Sequence, residues 1–277
     1  MADLTLFFGM GATKAGTSWL HYWLSRHPEV HLWDHKELHY FNAIDDGRVM
    51  KQIDAITAKR TMLRNKMKAE NDATEHARLG GLVSEIDRYL GLIGTGRIDA
   101  DAYMQFLTEN RGKAHVVGDI TPAYGLLSAE RLRFMSGLNP TTKFIYLLRD
   151  PVERLWSNVR AMAVSRGKTE AEQMRKASFR IFDRWVKGEE NALAARCDYG
   201  ATLRKLFAAV PEADRFVAFY EEIFTRQAVM RLCGFLGVTG YAAPLSEPVN
   251  RGRSVPLDNK RRAIAADILA PQYDEVK

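Results

Sequence analysis

Cysteine is almost missing: 277 residues hold only Cys197 and Cys233, with no CxxC spacing. A disulfide framework and a structural zinc site are both set aside by that scarcity, and no metal constellation is expected. Long apolar runs are missing too, since nothing approaches the ~20 residues of a membrane helix. The opening Met-Ala-Asp-Leu-Thr-Leu-Phe-Phe-Gly has no basic segment ahead of its short apolar run, so no signal peptide is expected and the location is read as cytoplasmic. Like charges are not blocked together either. Lys plus Arg number 40 against 34 Asp plus Glu, a balance of +6 with a pI near 9.3. Such a surplus suits an anionic ligand without demanding nucleic acid, which is not expected as a partner. No internal repeat, low-complexity segment or interdomain linker breaks the chain, so residues 1–277 read as one domain.

What is present is an ordinary globular balance, 46% hydrophobic and 27% charged, enough to bury a full core. Residues 4–10 form a compact apolar run ended by Gly11, the pattern of a buried parallel strand. Residues 18–27 then carry Trp19, Leu20, Trp23 and Leu24 at helical spacing, so these tryptophans and Trp156 are expected in the core. Further strands are predicted at 143–148, around Val116-Val117 and at 215–220. Pro151 suits the first turn of a helix running to Met162. More helices are predicted at 130–136, 179–187, 201–209 and 228–236, the last closed by Gly237. The C-terminal residues also read as helix. Alternating strands and helices predict an α/β fold, a three-layer sandwich with a central parallel sheet.

Residues 46–111 break that alternation. Met50, Ile53, Ile56, Leu63 and Met67 recur every three or four residues among Lys51, Lys59, Arg60, Arg64, Lys66 and Lys68. Leu82, Val83, Ile86, Tyr89, Leu90 and Ile93 form a second stripe after Gly80-Gly81. A helical hairpin inserted between core strands is predicted, serving either as packing for the sheet or as a lid or acceptor wall.

The sharpest signal is Gly11-Ala-Thr13-Lys14-Ala15-Gly16-Thr17-Ser18, which leaves a strand and opens a helix. Free N–H groups and the positive end of the helix dipole converge there on an anion. The Gly11-to-Gly16 spacing matches the nucleoside-triphosphatase loop, yet Thr17 stands where that loop has its lysine, and the lysine is instead Lys14. A second segment, Arg149-Asp150-Pro151-Val-Glu-Arg154-Leu-Trp-Ser157, follows the 143–148 strand. Arg149 and Ser157 could both reach a phosphate at the carboxyl edge of the sheet, where open α/β sheets bind ligands. Asp150 could imitate a magnesium-binding aspartate but reads better as a helix N-terminal carboxylate. Alternatively, the Lys14 loop is a plain glycine turn, and Arg149 pairs with a carboxylate.

The two segments together resemble those of the sulfotransferases that use 3′-phosphoadenosine 5′-phosphosulfate (PAPS). The resemblance implies that Thr13, Lys14, Ala15, Gly16, Thr17 and Ser18 hold the 5′-phosphosulfate. Arg149 and Ser157 would hold the 3′-phosphate. Lys36-Glu37-Leu38-His39-Tyr40-Phe41 and Gly118-Asp119-Ile120-Thr121-Pro122-Ala123-Tyr124 are similar to segments of the heparan-sulfate-type branch. Arg251, Gly252 and Arg253 stand where the family closes a basic loop over the nucleotide. Two positions depart from that branch: Ile120 replaces a lysine of the 3-O enzymes, and Asn42 replaces an acid, so a glycosaminoglycan acceptor is not carried over.

The resemblance implies in-line sulfuryl transfer, a P-loop-like sulfotransferase fold and no metal. Lys14 is expected at the bridging oxygen, with Glu37 as first and His39 as second choice of base for a hydroxyl or amine acceptor. Glu37 could otherwise pair with Arg26 or Lys36, and His39 could be a packing residue. A small molecule, a glycan or a lipid headgroup all suit as acceptor. Two other functions stay open: a P-loop kinase or ATPase with a degenerate loop, and a nucleotide-binding protein without turnover.

Overall fold

The computed structural model describes residues 4–243 and 255–276. In chain order the elements begin with β1 (Thr5–Gly9), α1 (Thr17–Leu24), β2 (Val30–Leu32) and α2 (Tyr40–Asp45). Three helices follow, α3 (Val49–Lys68), α4 (Ala73–Gly94) and α5 (Ala100–Thr108), before β3 (Val116–Ile120), α6 (Ala129–Ser136) and β4 (Thr141–Leu148). The second half holds α7 (Pro151–Ser165), α8 (Ala171–Val186), α9 (Asn191–Cys197) and α10 (Tyr199–Ala209). Then come β5 (Arg215–Phe219), α11 (Tyr220–Ile223), α12 (Arg226–Leu236) and α13 (Asn259–Asp274).

The five strands make one parallel sheet in the order β2-β3-β1-β4-β5, flanked by helices. The expected α/β architecture is what the chain forms. β1 lies at the centre because all five of its residues are buried and it pairs on both sides, Thr5 opposite Val116 and Thr141. A strand hidden on both faces must be apolar throughout, which is why the 4–10 run is unbroken. From β1 the chain runs to β2 at one edge, returns to β3 beside β1, then crosses to β4 and β5 on the other side. Strand order therefore reverses at the carboxyl end of β1, where a crevice opens.

Helix ends follow their sequence signals. Asp150 accepts a hydrogen bond from Glu153 N (2.9 Å) and Pro151 takes the first turn of α7, while Gly237 closes α12 at φ 74°. The Trp19, Leu20, Trp23, Leu24 stripe of α1 is buried, and Trp19 stacks on Trp23 at 5.5 Å. Each such side chain contributes about 1.5–3 kcal/mol through burial. Trp156 belongs to a second cluster, formed by α7, α8, α9 and α13.

The 46–111 region is a helical hairpin between β2 and β3: α3 packs along α4 through Ile56 and Leu63 against Leu79, Val83 and Ile86. Met50 departs from the expected stripe. It is 67% exposed, because the first turn of α3 stands on the rim of a cleft rather than on the hairpin seam. A third helix, α5, was not foreseen; its Tyr103 and Phe106 cover the β2–β3 side of the sheet. β2 was also missed, since three residues carry too little pattern and are strand only through pairing with β3.

Candidate functional site

At the reversal of strand order, the loop after β1 and the start of α1 face the ends of β4 and α7 across a cleft of about 170 Å³. Thr13, Lys14, Gly16, Thr17 and Ser18 line one wall; Arg149 and Ser157 line the other. No side chain caps the N-terminus of α1, so its first N–H groups are left for a ligand. Gly16 is required twice over. Its φ is +94°, and a Cβ there would stand 2.9 Å from Tyr220 Cδ2. Ala15 does not reach the cleft: its side chain is fully buried and its N–H donates to Ala12 O at 3.1 Å.

Cations crowd this cleft. Arg149 lies over the Tyr220 ring at 4.8 Å and donates from Nη1 to Lys14 O at 3.1 Å, tying the two walls together. Lys36 Nζ donates to Thr17 Oγ1 (3.2 Å), Ser18 Oγ (3.1 Å) and Glu37 Oε1 (2.9 Å). Arg160, one turn beyond Ser157 on α7, is not itself in the lining, and its buried Nε has no hydrogen-bond partner among the described residues. Burial lowers the Lys14 pKa, and Lys36, Arg160 and Arg149 lower it further, with Glu37 opposing. Burial and Arg149 likewise lower that of Arg160, with Glu153 opposing. Cations held this close, with Glu37 the one carboxylate lining the cleft, form a site suited to an anion.

Glu37 and His39 are joined through Oε2 and Nε2 at 3.3 Å, and His39 Nδ1 faces Asn42 Oδ1 at 3.2 Å. Burial pushes the Glu37 carboxyl up, but His39 and Lys36 outweigh it and hold the pKa at about 2. Burial works against a charged His39, yet Glu37 and Asn42 raise its pKa. Lys14, Glu37 and His39 all adopt positive φ, at 73°, 71° and 57°. Such backbone costs a non-glycine residue about 1–3 kcal/mol and gathers at functional sites.

A buried hub holds the His39 end of that backbone in place. Asp119, at the end of β3, accepts from Tyr103 OH (2.8 Å), Thr121 Oγ1 (2.6 Å) and Tyr124 OH (2.6 Å). Thr121 Oγ1 and Tyr124 OH accept in turn from the N–H groups of His39 (3.3 Å) and Tyr40 (3.1 Å). Burial raises the Asp119 pKa while its three hydroxyl donors pull it back down.

His39 also lines a second, larger cleft of about 840 Å³. Its walls come from α2, the first turns of α3, the 122–128 segment, α6 and α9. Glu37 opens on the first cleft and His39 on the second, so this pair bridges them.

The structure thus gathers Thr13, Lys14, Gly16, Thr17, Ser18, Glu37, Arg149 and Ser157 around one cleft, with His39 adjoining. Arg251, Gly252 and Arg253 lie outside the described residues. Asp150 has both oxygens engaged, one by the α7 cap and one by Tyr273 OH at 2.8 Å, which leaves it unsuited to magnesium. Of the two expected structural partners of Glu37, Lys36 takes the role, whereas Arg26 donates to Tyr22 O instead. Two cations escaped the sequence reading as site residues, Lys36 and Arg160. Lys36 was visible only as a neighbour of Glu37; the i, i+3 spacing from Ser157 was the one available sign of Arg160.

The family model described as "Sulfotransferase family" matches residues 7–242. Among solved structures, a sulfotransferase from Alicyclobacillus acidocaldarius is 20% identical, with a TM-score of 0.62 over 99% of this chain and 94% of that one. The sulfotransferase domain of the olefin synthase of Synechococcus PCC 7002 is 15% identical, with a TM-score of 0.49 over 97% of this chain and 94% of the domain. Among curated proteins, none is similar enough to count as a match. The family match spans most of the chain, including both walls of the first cleft, and on that ground the chain belongs to the sulfotransferase family.

Proposed function

We propose that the protein transfers a sulfuryl group from PAPS to a hydroxyl of a small-molecule acceptor. One observation carries the donor: Lys14, Lys36 and Arg149 converge beside an uncapped helix N-terminus, with Arg160 close by and Glu37 as the carboxylate in the lining. PAPS is a compact polyanion, and it supplies the sulfuryl group and a phosphate leaving group. In this reading the Lys14-to-Ser18 loop cradles the 5′-phosphosulfate, while Arg149 and Ser157, backed by Arg160, take the 3′-phosphate. Lys14 and Lys36 neutralise charge on the transferring and leaving oxygens.

Glu37 accepts the acceptor's proton. It stands at the junction of the clefts, paired with His39, whose N–H the Asp119 hub holds through Thr121. Clamped by Lys36 and His39 it is a feeble base; as Lys36 turns toward the sulfuryl oxygens, the carboxylate regains basicity. His39 orients Glu37 and borders the acceptor. The larger cleft, of about 840 Å³, has the volume of a small-molecule site and takes the acceptor. The chain works as one domain, and the start of α3 serves as acceptor wall, which gives the insertion a task beyond packing.

Thermal unfolding tests the donor directly. Adenosine 3′,5′-bisphosphate at about 100 times its Kd should stabilise by about 2.7 kcal/mol, a rise of several degrees, and ATP with magnesium should not. Sulfate transfer from labelled PAPS to any hydroxylated acceptor then establishes turnover. A protein stabilised by ATP with magnesium but indifferent to the bisphosphate overturns the reading.

A further inference from the structure

The cations of the larger cleft are not equivalent. Arg131 is gripped through two nitrogens by Asp45, at 2.8 and 2.9 Å, and Arg48 has Asp46 at 3.7 Å. Arg196, on the last turn of α9, has no carboxylate partner among the described residues. Its Nη1 donates to Ala192 O at 2.7 Å, which pins the side chain and leaves the rest of the fork toward the cleft. Behind it lies Arg154, fully buried, whose one hydrogen bond among the described residues runs from Nη2 to Cys197 Sγ at 2.7 Å. Arg154 Nε and Nη1 are unpartnered. Arginine cannot shed its proton, and a buried charge is poorly screened. The α9 side of the cleft is therefore positive beyond what its own carboxylates offset.

We infer that the acceptor carries, besides its reacting hydroxyl, an anionic group (a carboxylate or a phosphate monoester) that docks on Arg196. The inference rests on the sulfuryl-transfer reading and adds a chemical class to the acceptor. Its hydroxyl lies at the Glu37–His39 end, and the anion lies on the α9 wall. Burial lowers the Arg196 pKa, with Arg154 and Arg48 adding to that, and Glu37 and Cys197 opposing. An acceptor anion relieves this repulsion, and a guanidinium fork suits both carboxylate and phosphate.

The test compares matched probes on the whole protein, with and without saturating adenosine 3′,5′-bisphosphate. Calorimetry would measure para-hydroxyphenylacetate against para-hydroxyphenylacetamide, and tyrosol phosphate against tyrosol. The acid of each pair is expected to bind roughly 10- to 100-fold tighter than its neutral partner. The carboxylate and phosphate arms show which anion is preferred. Arg196→Gln should erase the preference, and Arg196→Lys should restore much of it while keeping the same unfolding temperature. Absence of any preference for the acids, or a preference that Arg196→Gln leaves intact, overturns the inference. Failure to bind the bisphosphate condemns the donor assignment instead and is read separately.

Discussion

The two clefts meet at Glu37 and His39, yet they handle charge in opposite ways. In the smaller one, Lys14, Lys36 and Arg149 line the wall with Glu37 as the one carboxylate among the lining residues, and burial and neighbouring cations depress the pKa of Lys14 and of the nearby Arg160. In the larger one, Arg48 and Arg131 are already partnered by Asp46 and Asp45. The first is charged in advance for a polyanion, whatever the acceptor. The second is close to balanced and leaves its selectivity to a few unpartnered groups. On the proposed reading, a donor that never varies and an acceptor that must be chosen call for this division of electrostatics.

The strongest way to break the comparison is to remove charge at the donor end. Lys14→Ala should lower kcat by roughly 100- to 1,000-fold, since the lost charge acts mainly on the transition state. Glu37→Gln, at the junction, should cost roughly 100-fold in kcat and leave bisphosphate affinity almost unchanged. Single-turnover rates with labelled PAPS check both. Full turnover by Glu37→Gln would mean that another group takes the proton.

A smaller effect should separate the two sides structurally. Asp119→Asn replaces an acceptor of three hydroxyl hydrogen bonds and loosens the turn that carries His39 and Tyr40. It should destabilise by about 1–3 kcal/mol and raise the acceptor KM, with the bisphosphate Kd within about twofold of wild type. Equal damage to donor and acceptor binding would show that the clefts are not independently supported.

The smallest expected effect is one of pH. The folded pKa of His39 lies above its ordinary value of 6.5. Its ion pair with Glu37 therefore stabilises fully below about pH 6.5, and that stabilisation is lost as pH rises through the folded value. Thermal unfolding between about pH 5.5 and 8.5 should show the wild-type advantage over His39→Asn shrinking with rising pH. A constant difference would mean that His39 serves only in packing. Glu37, held at about 2, contributes no change in that window.

The same contrast governs what could be read in the sequence. The smaller cleft is built from contiguous stretches: a strand, a turn whose Gly16 must adopt positive φ, and a helix with an open N-terminus. Each is a local requirement, so the residue types and their order announce them. The Asp150 cap and the α1 stripe were legible for the same reason. The larger cleft draws single residues from α2, α3, α6 and α9. Arg196 sits in no sequence motif; what marks it out is Arg154, 42 positions earlier, buried behind it. Ile120 is core, and Lys36 brings a cation to the site from another segment.

By itself the sequence determined the layered α/β architecture, the position of the phosphate-type loop, the second segment that faces it, and the hairpin. Those rest on hydrophobic period, glycine conformation and helix capping, which act over a few residues. Tertiary structure alone decided that β1 sits at the centre with the order reversing beside it, and that Glu37 and His39 together bridge two clefts. It also decided which arginines are partnered. Burial and Coulombic neighbours set those properties, and both depend on contacts between residues far apart in the chain.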